Sequence, residues 1–93
     1  MVQIHQFHPS VVYGDAVSDS ILELKKILNE LGYKSEIFVQ HIHPKIPDVK
    51  KFSEYSKYCS QDNILLLHFS LAYDQEIFDY FKSLPDKKIL IYQ

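Results

Sequence analysis

Apolar residues along the chain gather into four short runs separated by longer polar segments. Each run is rich in β-branched or aromatic residues and is short enough for a buried strand. The runs are VQIHQF at 2–7, SEIFVQ at 35–40, ILLLHF at 64–69 and KILIYQ at 88–93. The sequence therefore predicts four strands.

The segment between the first two runs has the spacing of an amphipathic helix. Its apolar residues recur at steps of three and four, which places them on one helix face. They are Val17, Ile21, Leu24, Leu28 and Leu31. Gly32 stands where a left-handed C-terminal cap belongs. The start remains open between Asp15 as the N-cap and a capping box formed by Ser20 and Glu23.

A second helical pattern precedes the last run and ends at Pro85, because proline interrupts helices. Its apolar positions are Ile77, Phe78, Phe81 and Leu84. Between the second and third runs, Pro44 and Pro47 predict a loop, and KKFSEYSKYCS at 50–60 is compatible with one irregular helix.

Strands that are joined through helix-length segments pair in parallel with right-handed crossovers. The sequence therefore predicts an α/β fold, Rossmann-like, with three layers α/β/α around a parallel sheet of about four strands in the order 2-1-3-4. Residues 1–93 form a single domain in this interpretation.

Composition and charge restrict the classes of partner that the chain is expected to bind. All ten basic residues are lysines and the formal charge is -2, so the chain lacks the arginines and the basic surplus that nucleic-acid binding favours. The longest apolar run, ILLL, is far shorter than the roughly 20 residues of a membrane span. The N-terminus lacks the pattern of a signal peptide. A lone cysteine, Cys59, fits a reducing compartment, and we expect a cytoplasmic protein.

A ligand site is expected where the strand order reverses, between the first and third strands, because open parallel sheets bind ligands beyond the carboxyl ends of strands there. The segment HPSVVYGDA at 8–16 follows the first strand, and HFSLAYD at 68–74 covers the end of the third. The predicted topology makes these two segments face each other across one crevice.

Gly14 and Asp15 precede the first helix in this predicted crevice. A glycine there lets backbone N–H groups approach a phosphate at the positive end of the helix, although a turn with positive φ explains it equally well. No G-x-G-x-x-G or Walker pattern accompanies it. Asp15 is better explained as a helix cap than as an acid or base.

His68 ends the third strand at the rim of the same crevice. A neutral imidazole there could accept a proton or bind a sugar hydroxyl or phosphate. The alternative is a partly buried histidine bonded to a backbone carbonyl. Ser70 lacks the G-x-S-x-G pattern of a hydrolase.

Metal binding is not expected. His41 and His43 supply half of a closed zinc site, and Cys59 has no second thiolate near it in the sequence. His5 lies inside the first strand, where a hydrogen-bonded core histidine is expected. Phe7 and Tyr13 are interpreted as packing residues.

An ordered set of motifs resembles the N-terminal part of group 1 (family 4) glycosyltransferases of GT-B architecture. The set begins with IHQFHPSVVYGDAVSDSILELKKILNELGYKSEIF and continues through HIHP, FSEY, LLLHFS and KILIYQ, so it covers nearly the whole chain. These are retaining enzymes in which two Rossmann-like domains face a cleft. The resemblance implies an acceptor-side domain here, and a nucleotide-sugar bound by a second domain.

The resemblance also implies site residues. Gly14 matches a loop near the donor diphosphate, with Asp15 and His8 as its companions, and His68 matches a catalytic histidine near the reacting sugar. No cofactor or metal is implied. Because the donor-binding domain lies outside these 93 residues, the chain is expected to be an incomplete domain that is inactive alone.

Two other functions remain open. The chain could be a free-standing protein-interaction or oligomerisation module, because an exposed last strand invites pairing, including pairing with a second copy. It could also bind a small molecule in the same crevice without catalysis.

Overall fold

A computed structural model describes residues 2–46, 48–69 and 75–92, with only the backbone at Phe69. The described residues form five strands, two α-helices and one 3₁₀-helix. Their bounds are β1 Ile4–Ser10, α1 Ala16–Glu30, β2 Ile37–His41, β3 Val49–Lys51, the 3₁₀-helix Phe52–Lys57, β4 Ile64–Phe69, α2 Gln75–Ser83 and β5 Lys87–Tyr92.

The five strands form one sheet in the order β3-β2-β1-β4-β5, and every neighbouring pair is parallel. The α/β class and its Rossmann-like arrangement are confirmed, and the four predicted strands stand in the predicted order. The prediction of about four strands was short by one, because β3 is missing from it. This strand has three residues, and two of them are lysines, so it carries no alternating apolar pattern.

Helix α1 begins and ends at residues that its sequence specifies. Asp15 is the N-cap, and its carboxylate accepts a hydrogen bond of 3.0 Å from the Ser18 backbone N–H. Asp15 therefore starts the helix, and the capping box one turn later does not. Gly32 follows the helix with φ of +96°, a conformation that favours glycine.

Alternation along the strands sends their side chains into two apolar layers, one on each face of the sheet. The 3₁₀-helix and α2 cover one face, where Phe7, Phe38, Tyr55, Leu65, Leu67, Ile77 and Phe81 are buried together. Helix α1 covers the other face, where Val11, Ile21, Ile37, Val39 and Ile46 are buried. The segment predicted as an irregular helix at 50–60 is instead the end of β3 and the 3₁₀-helix.

The architecture has the three layers that the sequence predicts. It holds β1 and β4 side by side in the middle of the sheet, with their carboxyl ends at one edge. Within the described part of the chain, no helix is long and apolar enough to cross a membrane.

Candidate functional site

Two histidines meet where β1 and β4 end. The His8 Nδ1 atom lies 3.0 Å from the backbone carbonyl oxygen of His68, and the ring centroids are 6.2 Å apart in an edge-to-face arrangement. Both side chains are buried on the face that α1 covers. The structure thus brings two of the predicted site residues together at the point where the strand order reverses.

A buried glutamine connects this pair to α1. Gln6 donates through its Nε2 atom to the carbonyl of Ile21 at 3.0 Å, and its Oε1 atom lies 2.7 Å from Nε2 of His68. Because the Gln6 Oε1 atom only accepts, His68 donates from Nε2. The sequence prediction missed Gln6, although a polar residue at a buried position inside a central strand is itself a signal of a hydrogen-bonded network.

The hydrogen bonds also assign the tautomer of His8. A carbonyl oxygen only accepts, so His8 donates from Nδ1, and its Nε2 atom carries the lone pair of the neutral ring. Among the residues that the structure describes, no group bonds to this Nε2 atom. His8 therefore offers a hydrogen-bond and proton acceptor at the carboxyl end of β1.

Burial keeps both rings neutral. Burial, together with the neighbouring His8, lowers the pKa of His68 to about 4. Burial also lowers the pKa of His8, while its bond to the His68 carbonyl and the charge of Asp15 oppose this change. At pH 7 the pair is therefore uncharged, and His8 keeps the lone pair of its Nε2 atom.

Gly14 and Asp15 lie on the loop that joins β1 to α1. Gly14 has φ of +85°, and a Cβ atom added there would meet no atom of the described residues within 4 Å, so its backbone conformation requires glycine. The Ser18 backbone N–H lowers the pKa of the Asp15 carboxyl. The hydroxyl of Ser18 accepts a bond of 3.1 Å from the Val12 N–H, which fixes the loop against α1.

The turn at Gly14 and the cap at Asp15 are thus confirmed. The donor-phosphate role of Gly14, Asp15 and His8, and the catalytic role of His68, stay predictions. Residues 70–74, which include Ser70 and most of the segment expected to face this loop, lie outside the described residues.

His5 is a core histidine, as expected. Its Nδ1 atom accepts from the Glu36 backbone N–H at 3.0 Å, and its Nε2 atom donates to Gln3 Oε1 at 2.7 Å. Phe7 is also buried, but Tyr13 is 66% exposed, so its interpretation as a packing residue was wrong. The environment of a loop aromatic depends on the path of the loop, which the apolar pattern does not encode.

His41 and His43 are exposed at and just beyond the end of β2. The Nδ1 atom of His43 accepts from the Lys45 backbone N–H at 3.1 Å, and the Cys59 thiol donates to the carbonyl of Ser56. Within the described ranges, no three His, Cys, Asp or Glu side chains come together in a way that could hold a metal ion.

A shallow groove of about 300 Å³ lies elsewhere, between α1 and the start of β3. Its lining consists of Leu22, Lys25, Lys26, Asn29 and Asp48. Lys25 forms an ion pair of 3.3 Å with Glu36, at the amino end of the sheet. The groove is therefore remote from the histidine pair, and its most enclosed cation is already neutralised.

Comparison with protein families, with curated proteins and with solved structures finds no match to this chain in any of the three.

Proposed function

We propose that this chain forms the acceptor-side wall of the transfer site in a retaining glycosyltransferase of GT-B architecture. One observation carries the proposal: His8 and His68 meet at the carboxyl ends of β1 and β4, where sheets of this type bind ligands. The assignment to sugar transfer rests on the ordered sequence motifs. The compartment proposed for it is the cytoplasm, on the evidence of the single cysteine.

The hydrogen bonds indicate different roles for the two histidines. His8, with an acceptor lone pair on Nε2, binds a hydroxyl group of the acceptor sugar. His68 holds His8 in place through its carbonyl and is itself held by Gln6. The resemblance adds the catalytic role of His68 beside the reacting sugar, which the proposal retains.

Charge favours a hydroxyl over a phosphate at His8. The two histidines are neutral at pH 7, and the nearest charge that acts on His8 is the carboxylate of Asp15. A diphosphate leaving group requires positive charge or several donors as its own charge develops. No atom of the described residues lies within 4 Å of a Cβ built at Gly14, which leaves room for a donor phosphate to approach the backbone. The proposal assigns the neutralisation of this phosphate to a second domain. The isolated chain is therefore expected not to transfer sugar.

Calorimetry on the isolated chain tests this proposal. The methyl α-glycosides of glucose, galactose and mannose serve as acceptor probes, and UDP-glucose and GDP-mannose as donor probes. We expect weak binding of at least one glycoside, weakened about fivefold or more in His8→Ala, because this variant loses a hydrogen bond to the sugar worth about 1 kcal/mol. His68→Ala should also weaken binding, because it removes the ring that packs edge-to-face against His8.

The matched control is His41→Ala, which removes an exposed histidine at the end of β2. It should leave the binding unchanged. Binding that ignores both His8→Ala and His68→Ala would remove the pair from any sugar site, and turnover of a nucleotide-sugar by the isolated chain would contradict its expected inactivity.

A second function, protein interaction, is favoured by β5. This strand lies at one edge of the sheet, and Ile89 and Leu90 are 49% and 39% exposed. Apolar side chains on an open edge are typical of a surface that pairs with another chain. Light scattering tests for self-association, and a monomer at every concentration up to the solubility limit speaks against an oligomerisation module.

A further inference from the structure

The two edges of the sheet are built differently. The edge at β3 has three residues, of which Lys50 and Lys51 are charged, and short charged edge strands resist pairing with other chains. The edge at β5 has six residues that pair with β4 in an unbroken register from Lys87 to Tyr92. It has no proline and no bulge, and its two lysines, Lys87 and Lys88, both lie at its start.

Backbone geometry shows which groups of β5 point outwards. The Lys87 N–H donates to the Asn63 carbonyl at 2.9 Å, so Lys87 faces β4. Because the direction alternates along a parallel strand, Lys88 and Leu90 direct their N–H and C=O groups to the opposite side. No described strand lies on that side of β5. These groups form the template for one more strand.

Lys88, the lysine nearest the middle of this edge, forms hydrogen bonds within its own chain. The Lys88 Nζ atom donates to the backbone carbonyls of Leu84 and Asp86. These bonds direct the ammonium group towards its own chain, at the start of β5. The side chains that follow, Ile89 and Leu90, are apolar and exposed on opposite faces of the sheet.

We propose that the open edge of β5 pairs in antiparallel fashion with β5 of a second copy of this chain, centred on Leu90. In this register Leu90 stands opposite Leu90, Ile89 opposite Ile91, and Lys88 opposite Tyr92 of the second copy. The inference gives a partner to the interaction function proposed above, on which it rests, and it is independent of sugar transfer.

Charge and register select this arrangement. Centred on Leu90, no lysine faces a lysine, and β-branched residues face each other on the α1 side of the sheet. Centred on Lys88, the two ammonium groups would stand directly opposite, which destabilises a strand pair. The register on Leu90 also keeps the two strands in contact along residues 88–92, and it pairs the outward groups of Leu90 with those of its counterpart.

Cysteine cross-linking tests the register. In a Cys59→Ser background, Leu90→Cys is compared with Ile42→Cys, whose parent side chain is 45% exposed and lies beyond the end of β2. In the proposed register the two Leu90 residues form a hydrogen-bonded pair, whose Cα atoms lie about 5.5 Å apart, within the range for a disulfide. We expect mild oxidation to convert most of the Leu90→Cys chain into covalent dimers and to leave Ile42→Cys monomeric under denaturing conditions.

A charge variant tests the same edge without covalent cross-linking. Leu90→Lys places two ammonium groups opposite each other at the centre of the dimer, so its dissociation constant by light scattering should rise about tenfold or more. Ile42→Lys should leave it unchanged. Circular dichroism of both variants checks that the fold is retained.

The outcomes separate the inference from the function on which it rests. A dimer that does not cross-link through Leu90→Cys and is indifferent to Leu90→Lys would overturn the β5 register and leave self-association in place. A monomer at all concentrations would overturn both.

Discussion

Two histidines on opposite faces of the sheet, His5 and His68, are both buried and both neutral at pH 7, but they differ in their position in the sheet and in their hydrogen bonds. Burial lowers the pKa of His5 and of His68 to about 4. His5 lies near the amino end of β1, on the face covered by the 3₁₀-helix and α2. His68 lies at the carboxyl end of β4, on the α1 face, beside His8.

The amino-end histidine is fully engaged by the fold. Both ring nitrogens of His5 are bonded, to the Glu36 N–H and to Gln3, and the ring packs edge-on against Phe38 and Tyr55. At the carboxyl end, the pair leaves the Nε2 atom of His8 without a partner among the described residues. Burial and a lowered pKa are therefore poor guides to function here, and the position in the sheet and the unused lone pair separate a core histidine from a candidate site.

The largest expected effect is a loss of stability in acid to which both histidines contribute. Each is neutral in the folded state down to a pH of about 4, whereas the unfolded chain binds a proton near pH 6.5. The unfolded state therefore binds more protons between these values, and stability that is complete above pH 6.5 falls as the pH approaches 4. For two such groups the loss by pH 4 is on the order of 6 kcal/mol.

Urea denaturation at a series of pH values measures this slope. His5→Gln and His68→Gln should each reduce the dependence markedly, because each takes away one of the contributing groups. A stability profile that is flat between pH 6.5 and 4 would show that these rings are not held neutral by burial.

The second expected effect is that a substitution at the amino end of the sheet lowers stability without changing glycoside binding. His5→Ala leaves a cavity and an unpaired Glu36 N–H, so the free energy of unfolding should fall by about 3 kcal/mol. The binding of methyl glycosides by the folded protein should not change. The control His41→Ala, at an exposed position, should alter stability by no more than about 0.5 kcal/mol. A change in glycoside binding caused by His5→Ala in folded protein would contradict the assignment of His5 to the core alone.

The smallest effect concerns the glycines at the two ends of α1. Gly14 and Gly32 both have positive φ, and no described atom lies within 4 Å of a Cβ built at either, so an alanine at either position should cost about 1 kcal/mol of stability. Only Gly14 lies at the carboxyl edge, so only Gly14→Ala should also weaken glycoside binding. Thermal unfolding and calorimetry on the two variants measure both quantities, and equal binding by the two would exclude the loop at Gly14 from the site.

Periodic features of this fold could be predicted from the sequence. The apolar face of α1, with Asp15 before it and Gly32 after it, specified the helix, and the apolar runs specified four of the five strands. Strand β3 could not be predicted, because Val49 is its only apolar residue and its pairing depends on β2 being next to it.

The candidate site was only partly predictable. The strand order placed His8 and His68 at one edge, but their tautomers depend on Gln6 and on the carbonyl of His68, which are contacts between distant parts of the chain. Alternation along β1 does place His5 on one face and Gln6 and His8 on the other. That pattern, combined with the strand order, predicts the face and the end of the sheet at which each histidine lies, but it does not predict the free lone pair of His8.

The most direct test of this account follows the imidazole signals of His5, His8 and His68 by heteronuclear NMR while methyl glycosides are added to the isolated chain. The account predicts that the signals of His8 and His68 shift together with increasing glycoside and that those of His5 stay in place. Signals of His5 that shift as much as those of His8, or a pair that does not respond to any of the three glycosides, would contradict it.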